Sequence, residues 1–392
     1  MKHVYLIGSK GIPALYGGFE AFVDRLTAGR RLEELTYHVA CLDTESRVET
    51  VHSAECFHLK VPKLGPARAV LYDLKAFRYA LSEIKEKGLE SAVIYVLACR
   101  IGPFFKGLTN KAHKLGAVVA VNPDGHEFLR AKWNGAIQKY WKYSESLMVK
   151  SADLMICDAK EMERYIRSEY ADLDPKTCYI PYGADVAAQG AEEPSGEYTD
   201  WLRENGLSIG KYALTVGRFV PENNYECMIR EYMRAKTLFP LALVTNAENN
   251  RFYQDMKKKL HFEEDDRIRF VGTVYDRALL TEIRRGAAFS IHGHEVGGTN
   301  PTLLEALGST DVNLLLDVPF NREVGEEAAL YWSKEEGALS ALIDTAGRFG
   351  KPQRLVAGQR ARARIRDAYS WDEVIQSYEK LFLSLPETEN AE

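Results

Sequence analysis

The segment Val4-Tyr5-Leu6-Ile7-Gly8 begins the first element that can be recognised in the chain, an apolar run that ends at a glycine. A glycine-rich loop follows it, and residues 20–26 then have the composition of a helix. This order of apolar run, turn and helix recurs almost to the end of the chain. Apolar strands that alternate with helices are typical of a parallel sheet with helices on both faces. The sequence therefore predicts an α/β protein, in which ligands bind at the carboxyl ends of the strands.

Ten further segments have the length and the apolar character of strands in such a sheet. They are residues 37–42, 92–97, 117–121, 154–157, 178–180, 212–216, 241–245, 268–271, 288–291 and 312–316. Helical spacing is clearest in residues 69–85 and in the last predicted helix, residues 371–383.

The chain length and a change in composition predict two domains. At 392 residues the chain is too long for one typical core. Between positions 185 and 210 the residues become small, polar and acidic, as in Ala187-Ala188-Gln189-Gly190, and the alternation of strands and helices then restarts. We expect two doubly wound, Rossmann-like domains over residues 1–190 and 208–369, separated by a linker or an exposed excursion.

The composition disfavours several classes of protein. Hydrophobic residues make up 46% and charged residues 27% of the chain, as in globular proteins, and the net charge of −5 argues against electrostatic binding of the whole protein to nucleic acid. The six cysteines are scattered without a CxxC pair, which indicates a reducing compartment. The longest apolar run, residues 92–99, is too short for a membrane span, and the first residues do not have the pattern of a signal peptide. We therefore expect a cytoplasmic protein.

The loop after the first strand contains Gly8-Ser9-Lys10-Gly11-Ile12-Pro13 and then Gly17-Gly18-Phe19-Glu20. Glycine allows the backbone to approach a ligand closely, and a helix that begins in such a loop offers N–H groups to phosphate. A tight turn between strand and helix explains the same glycines equally well. The spacing differs from the G-x-G-x-x-G of dinucleotide-binding proteins and no Walker A pattern is present, which disfavours a nicotinamide-dependent enzyme.

Two strand ends in the second half of the chain carry candidate ligand-binding residues. Arg218 follows the predicted strand 212–216, where an arginine either pairs with a diphosphate or is an ordinary surface residue. The strand 288–291 is followed by His292-Gly293-His294-Glu295-Val296-Gly297-Gly298-Thr299-Asn300-Pro301, and a helix then starts. The N–H groups of residues 298–302 are suited to an anion. Glu305 in that helix is suited to two ribose hydroxyl groups, although a carboxylate near a helix N-terminus is also favourable by itself.

No motif in the sequence predicts a metal site. His292 and His294 share a face of the strand, but no third and fourth ligand follow at a useful spacing. Asp172-Leu173-Asp174 precedes Pro175 and has the composition of a polar turn.

Together these motifs resemble those of glycosyltransferase family 4, the retaining GT-B glycosyltransferases, over nearly the whole chain. The matching segments are Gly17-Gly18-Phe19-Glu20, Ser151-Ala152-Asp153, Ile180-Pro181-Tyr182-Gly183-Ala184-Asp185, residues 216–224, residues 297–305 and Ser370-Trp371-Asp372. The resemblance implies two Rossmann-like domains that face each other across a cleft. It also implies that residues 1–190 form the acceptor side and that residues 208–369 bind a nucleotide sugar. The helix within residues 370–392 is then expected to pack back on the N-terminal domain.

A narrower set of motifs resembles bacterial rhamnosyltransferases, which build capsule or cell-wall polysaccharides on lipid-linked precursors. These motifs are Ile7-Gly8-Ser9-Lys10-Gly11-Ile12-Pro13, Asn122-Pro123-Asp124-Gly125, Lys132-Trp133 and Gly298-Thr299-Asn300-Pro301. The resemblance implies dTDP-L-rhamnose as the donor, a lipid-linked saccharide as the acceptor, and no cofactor. The alternatives are UDP-glucose or GDP-mannose as the donor, a UDP-sugar 2-epimerase of the same fold, and a non-catalytic protein that binds sugar nucleotides.

The resemblance also assigns roles to individual residues. Asp124 orients or deprotonates the acceptor hydroxyl, with a plain Asp-Gly turn as the other interpretation, and His126 is a second candidate for that task. Arg218 stabilises the negative charge that grows on the leaving nucleotide diphosphate. The expected donor-binding residues are Gly17, Gly18, Arg218, Asn223, His294, Gly297, Gly298, Thr299, Asn300 and Glu305.

Two positions depart from the family pattern. The first glutamate of the E-x7-E motif falls on Gly297, and Glu295 lies two residues too early. The lysine that usually follows the Gly-Arg pair falls on Asn223. Arg218 is therefore expected to act with backbone N–H groups alone or with a lysine from elsewhere in the chain.

A lipid-linked acceptor implies peripheral contact with the cytoplasmic face of the plasma membrane. Residues 130–150 carry five basic residues, one acid and four aromatic residues, the composition of a helix that lies on a membrane surface. An ordinary amphipathic helix with packed aromatic side chains has the same composition.

Overall fold

The computed structural model describes residues 1–14, 17–65, 67–130, 133–187, 193–247 and 251–386. The chain forms two compact units, one of Met1–Tyr182 with Trp371–Glu392 and one of Gly183–Ser370. Each unit is built on a sheet of predominantly parallel strands with helices between them. The predicted α/β class with two Rossmann-like domains is therefore confirmed.

The first unit has one eight-stranded sheet. Its strands are β1 (Lys2–Ile7), β2 (Leu35–Asp43), β3 (Val48–Val51), β4 (Ala54–Lys60), β5 (Ala92–Leu97), β6 (Val118–Asn122), β7 (Leu154–Cys157) and β8 (Thr177–Tyr179). They lie in the order β3-β4-β2-β1-β5-β6-β7-β8, with β3 and β4 antiparallel and the other neighbours parallel. The helices that connect them are α1 (Gly18–Ala28), α2 (Ala67–Lys87), α3 (Gly102–His113), α4 (Gly135–Ser151) and α5 (Lys160–Glu169).

The second unit has a six-stranded, all-parallel sheet. Its strands are β9 (Ala213–Val216), β10 (Leu241–Val244), β11 (Ile268–Phe270), β12 (Phe289–His292), β13 (Asn313–Leu316) and β14 (Leu330–Trp332), in the order β11-β10-β9-β12-β13-β14. Its helices are α6 (Gly196–Glu204), α7 (Tyr225–Arg234), α8 (Arg251–Leu260), α9 (Arg277–Gly286), α10 (Pro301–Ser309), α11 (Pro319–Gly325), α12 (Ala338–Gly347) and α13 (Lys351–Ala368).

The strands of the second sheet are buried because apolar clusters cover both faces of the sheet. Successive residues of a strand point to opposite faces. Ala213 and Leu214 of β9 accordingly belong to two separate hydrophobic clusters. A strand that is buried on both faces needs apolar residues at every position. This continuous apolar pattern is the signal by which the strands were predicted from the sequence.

In both sheets the order of the strands reverses beside the first strand. β1 pairs with β2 on one side and with β5 on the other, and β9 pairs with β10 on one side and with β12 on the other. Ligands of doubly wound sheets bind at the carboxyl ends of the two strands that flank this reversal. The loops after β1 and β5, and those after β9 and β12, are therefore where ligand-binding residues are expected.

The last helix of the chain, α14 (Trp371–Ser384), belongs to the first unit. Its residue Tyr378 packs against Tyr95 of β5, with ring centroids 5.9 Å apart. Phe382 is fully buried, and its ring contacts those of Tyr37, Tyr95 and Tyr378. The helix thus completes the core of the unit that begins the chain.

Three strands, β3, β4 and β14, are absent from the sequence prediction. The first two carry charged residues, and β3 is mostly exposed at the antiparallel edge of its sheet. β14 is only three residues long and also lies at an edge. An edge strand has a neighbouring strand on one side only and is more exposed to solvent. It therefore does not need the continuous apolar sequence by which the central strands were recognised.

The stretch predicted as a linker contains a helix. Residues 188–192 lie outside the described part of the chain, and α6 begins at Gly196. The Ser195 hydroxyl caps this helix by accepting a hydrogen bond from the Tyr198 N–H at 3.1 Å. Tyr198 and Trp201 are buried, so an apolar face lies within a stretch that looks acidic and polar as a whole.

The boundary between the units also lies earlier in the chain than position 190. Residues from Gly183 onward belong to the second unit. The Ala184 N–H donates to the Tyr369 carbonyl at 2.8 Å, so this segment is fixed to the end of α13.

Replacing Phe382 by alanine should destabilise the protein by about 3 to 5 kcal/mol, because a fully buried ring is removed from the core of the first unit. Leu383→Ala is the matched control, since Leu383 lies in the same helix and is 38% exposed. Denaturant unfolding followed by tryptophan fluorescence measures both changes. An equal loss of stability in the two variants would contradict the packing described for α14.

Candidate functional site

The carboxyl ends of β9 and β12 are held beside each other by side chains from the turn that follows β9. Asn224 Nδ2 donates to the Gly293 carbonyl at 2.8 Å, and the Tyr225 hydroxyl donates to the Gly217 carbonyl at 2.9 Å. Asn224 has a left-handed backbone, with φ of 54°, a conformation that asparagine tolerates better than most residues. These contacts fix the two loops at the reversal point of the second sheet.

Asn223 connects these two loops directly. Its Nδ2 donates to the Arg218 carbonyl at 2.7 Å, and its Oδ1 lies 2.7 Å from Nδ1 of His294. Because the amide oxygen only accepts hydrogen bonds, His294 must donate from Nδ1. The sequence prediction placed Arg218, Asn223 and His294 in one site, and the structure brings these three together.

Arg218 is an exposed cation at this edge. In the described part of the chain its guanidinium forms no hydrogen bond or ion pair with another residue. An arginine without an acidic partner, at the carboxyl end of a central strand, presents a planar set of donors that matches a phosphate or diphosphate.

The start of α10 offers fewer N–H groups than the sequence suggested. The Asn300 side chain caps the helix by accepting from the Thr302 N–H at 2.9 Å, and Pro301 has no N–H. The prediction that N–H groups as far as Thr302 bind an anion is therefore corrected. The predicted anion-binding N–H groups are therefore better placed in the loop before the cap, at Gly297, with φ of 142°, and at the adjacent Gly298.

Glu305 is held by a buried arginine. Its carboxylate pairs with Arg284 Nη2 at 2.5 Å, and its side chain is 47% exposed whereas that of Arg284 is 5% exposed. A glutamate that is present only to interact favourably with the helix dipole would not need a buried arginine as its partner. The pair fixes an exposed carboxylate in α10, which is suited to accepting hydrogen bonds from hydroxyl groups of a ligand.

Lys334 is a functional candidate that the sequence prediction missed. It follows β14, one of the unpredicted strands, and its ammonium pairs with the carboxylate of Glu295. The Glu295 N–H in turn donates to the Glu222 carbonyl at 3.1 Å. Glu295 therefore holds a lysine next to the loop after β12, on the edge of the sheet where Arg218 lies.

His292 has a different environment from His294. Burial lowers the pKa of His292 to about 4, and its Nε2 makes no hydrogen bond. It lines a small cavity beneath α10 together with Arg284 and Thr302. Within the described residues, the His292 and His294 side chains do not form part of any cluster with metal-like spacing, and Asp174 ends a short turn with φ of 44°.

The glycines after β1 are required by the chain's own packing. Gly8 and Gly11 both have φ of 112°, and a Cβ would lie 2.4 Å from the Leu97 carbonyl oxygen at Gly8 and 2.6 Å from Cys41 Sγ at Gly11. The tight-turn interpretation therefore explains these two glycines without a ligand. Gly17 has φ of 125°, and the carboxylate of Glu20 occupies the space that a side chain there would need.

Residues from α1, α2 and the loop after β5 stabilise this glycine loop. The Lys10 N–H donates to Glu20 Oε1 at 2.8 Å, and the Tyr72 hydroxyl donates to the Ser9 carbonyl at 2.8 Å. Arg100 Nη1 donates to the Gly8 carbonyl at 2.9 Å and lies 3.2 Å from Asp73 Oδ2. Burial raises the pKa of Asp73 to about 6. Sequence reasoning missed Arg100, although its position after β5, the neighbour of β1, was a usable signal.

Asp124 and His126 follow β6 in the first unit. Asp124 has a left-handed backbone with φ of 60°, and its N–H donates to Asn122 Oδ1 at 2.7 Å, so it does form a turn. Its side chain is half-buried. The edge of the His126 ring packs on Tyr165 with centroids 4.4 Å apart, and burial lowers the pKa of His126. Both side chains thus belong to the carboxyl edge of the first sheet.

The aromatic residues predicted to lie on a membrane are mostly internal. Trp141 is buried, the Trp133 Nε1 donates to Glu127 at 2.8 Å, and the Tyr140 hydroxyl donates to the Arg100 carbonyl at 2.8 Å. Of the four, only Tyr143 is largely exposed, at 58%. Lys132 lies outside the described residues. These contacts use part of the aromatic surface of the segment for packing. No helix in the described part of the chain is long and apolar enough to cross a membrane.

Comparison with known proteins identifies the fold. A family described as a domain of unknown function, DUF1972, matches residues 1–185, and no curated protein matches the sequence. Sucrose-phosphate synthase from Thermosynechococcus elongatus is 16% identical with a TM-score of 0.74, over 98% of this chain and 100% of that chain. HepE from Anabaena in complex with UDP is 14% identical with a TM-score of 0.69, over the same shares.

A third similar structure is a UDP-forming α,α-trehalose-phosphate synthase from Burkholderia xenovorans in complex with glucose-6-phosphate. It is 12% identical with a TM-score of 0.68, over 98% of this chain and 100% of that chain. At these identities the likeness establishes the fold, and this chain has the GT-B fold that the family resemblance implied.

Gly8→Ala should destabilise the protein by at least about 2 kcal/mol, because it forces a side chain into a left-handed backbone and against the Leu97 carbonyl. Gly107→Ala is the control, since Gly107 lies in α3 with no heavy atom near its potential Cβ, and alanine there should be neutral or stabilising by about 0.5 to 1 kcal/mol. Thermal unfolding compares the two. Unchanged stability of Gly8→Ala would mean that this glycine is present for another reason, such as access of a ligand.

Proposed function

We propose that this protein is a retaining glycosyltransferase that moves a hexosyl unit, L-rhamnose from dTDP-L-rhamnose, onto a lipid-linked saccharide. The observation that carries the proposal is the arrangement at the carboxyl edge of the second sheet, where an unpaired Arg218, the Asn223–His294 bridge and the start of α10 converge. The GT-B fold and the names of the similar structures, which include UDP-forming and UDP-bound proteins, support a nucleotide sugar as the ligand.

The donor side of the reaction follows from charge. As the bond between sugar and phosphate breaks, negative charge grows on the nucleotide diphosphate, and donors that are already in place stabilise it. Arg218 is exposed in the loop after β9, and the N–H groups of Gly297 and Gly298 belong to the loop after β12, which Asn223 joins to it. Glu305, fixed by Arg284, accepts hydrogen bonds from the ribose hydroxyls.

Lys334 supplies the second positive charge in this proposal. Family members usually have a lysine where Asn223 stands, and Asn223 here holds the two loops together. Lys334 is 49% exposed and is kept at the site by Glu295. In this proposal the positive charge that is missing at Asn223 is supplied by Lys334, which follows a different strand.

The acceptor side involves Asp124 and His126 of the first unit. His126 is neutral at pH 7 because burial lowers its pKa, so its ring is able to take up a proton. Asp124 is held in position by the turn with Asn122. In a retaining reaction with same-face attack, one of these groups orients or deprotonates the acceptor hydroxyl, and no enzyme nucleophile or metal is needed.

Two observations bear on the identity of the donor nucleotide. The motifs that resemble rhamnosyltransferases favour dTDP-L-rhamnose, whereas the named neighbours favour a UDP-sugar. A lipid-linked acceptor would bring the protein to the cytoplasmic face of the membrane, where Tyr143 is the exposed aromatic residue of α4.

Thermal unfolding with dTDP, UDP, GDP and their sugar conjugates should show stabilisation by dTDP and dTDP-L-rhamnose. A ligand that binds only the folded state stabilises it by about 2.7 kcal/mol at 100 times its Kd. Arg218→Ala should abolish the shift, and Arg251→Ala, at a 95% exposed arginine of the same unit, should leave it unchanged.

A larger shift with UDP or GDP would overturn the choice of donor and leave the transferase proposal standing. If no nucleotide shifts the protein at millimolar concentration, the transferase proposal fails. Donor binding without turnover on any acceptor would favour the non-catalytic sugar-nucleotide-binding protein.

Lys334→Met should lower kcat by about 10²-fold with little effect on folding, because a charge that stabilises the leaving diphosphate is lost. Lys334→Arg should retain much of the rate, since the charge is kept. Lys211→Met is a control at an exposed lysine of the same unit. Equal rates for Lys334→Met and the control would exclude Lys334 from the reaction.

A further inference from the structure

A row of polar side chains crosses three neighbouring strands of the first sheet. The strand register places Tyr5 of β1 opposite His38 of β2, and His38 opposite Glu55 of β4. Residues aligned in this way point to the same face of a sheet. The C-terminal end of α2 covers this face and adds Glu83 and Lys87 to the row.

The His38 ring nitrogen Nδ1 is buried without a hydrogen bond. The side chain is 3% exposed, and Nδ1 lies 3.4 Å from Glu55 Oε1 and 3.7 Å from Glu83 Oε2. A buried histidine nitrogen that faces two carboxylates forms, together with them, a set of three potential ligands for a cation.

The charges in this cluster do not balance. Glu55 and Glu83 together carry two negative charges, and within the described residues Lys87 is the lysine or arginine that pairs with them, at 3.4 Å and 2.5 Å. Lys87 binds Oε1 of Glu83, whereas His38 faces Oε2 of the same carboxylate. Oε2 of Glu83, which also accepts a hydrogen bond from the Tyr5 hydroxyl, therefore faces His38, and one negative charge is left to be compensated.

We propose that His38, Glu55 and Glu83 bind a divalent transition-metal ion of the zinc class. The ligand atoms of the three side chains all lie within 4.8 Å of one another. Ligands of a tetrahedral zinc ion lie about 3.4 Å apart when each bond is about 2.1 Å long. The distances of 3.4 Å and 3.7 Å from His38 Nδ1 match this spacing, and water completes the coordination.

Hydrogen bonds and ring stacking from neighbouring residues orient the proposed ligands, as a metal site requires. The His38 Nε2 lies 3.0 Å from Nδ1 of His3, and in the tautomer that the proposal requires Nε2 donates to His3 and Nδ1 keeps a lone pair for the metal. Tyr5 stacks on the His38 ring with centroids 4.3 Å apart, and its hydroxyl donates to Glu83 Oε2 at 3.1 Å. The metal therefore joins two strands to the end of α2.

This site is separate from the proposed transferase site. Its ligands lie on a strand face beneath the end of α2, whereas the glycine loop begins beyond the carboxyl end of β1 at Gly8. We expect the metal to stabilise the first unit and to leave nucleotide binding at Arg218 unchanged. The inference therefore does not depend on the proposed function.

Zinc titration of the chelator-treated, full-length protein by calorimetry tests the site. We expect one Zn²⁺ per chain and a higher unfolding temperature. Glu55→Gln removes one charged ligand from a partly exposed position, keeps the side-chain shape, and should weaken binding by about 10- to 100-fold or more. Glu49→Gln is the matched control, because Glu49 is a carboxylate of the adjacent strand that faces a different histidine, His58.

Several outcomes would overturn the proposal. Equal zinc affinity of the wild type and Glu55→Gln, or a loss in Glu49→Gln instead, would place the ion elsewhere. A thiolate charge-transfer band in the Co²⁺-loaded protein would assign the metal to cysteines. Lys87→Met should raise the zinc affinity, because a competing ammonium group is removed. Failure of this variant to bind zinc would overturn the proposal, since Lys87 would then be the cation that the two carboxylates are built to bind.

Discussion

Parallel pairing of β9 with β12 is the constraint on which the proposed donor site depends. Parallel strands need crossover helices, so the carboxyl ends of both strands lie on one edge, and the reversal of strand order leaves these two ends without a helix between them. Asn223 and Asn224 then close the gap with side-chain hydrogen bonds to both loops. Arg218 is presented from a backbone that is already rigid.

Most of the fold could be read from the sequence, because strands buried on both faces must be apolar throughout, as in β5. Edge strands such as β3 and the capped helix α6 lacked that signal. The candidate site was foreseen where residues follow a central strand, as Arg218 does. Arg284 and Lys334 could not be foreseen in the same way, because their significance comes from partners distant in sequence, Glu305 and Glu295.

The two departures from the pattern of the glycosyltransferases that the sequence resembles can be compared by their charge. Gly297 replaces a carboxylate, and Asn223 replaces a lysine, so one negative and one positive charge are missing from adjacent loops. The Glu295–Lys334 pair provides one of each at neighbouring positions. The net charge of the site is therefore the same as if both family residues were present, although each charge comes from a different place in the chain.

The position of α14 has a consequence for how the protein is made. This helix fills the core of the first unit, yet it follows the whole second unit in the chain and is therefore synthesised after it. The groove that receives Tyr378 and Phe382 remains open to water throughout synthesis of the second unit, a span of 188 residues from Gly183 to Ser370. The second unit can therefore fold before the first is complete, because the core of the first unit closes only once residues 371–384 have been synthesised.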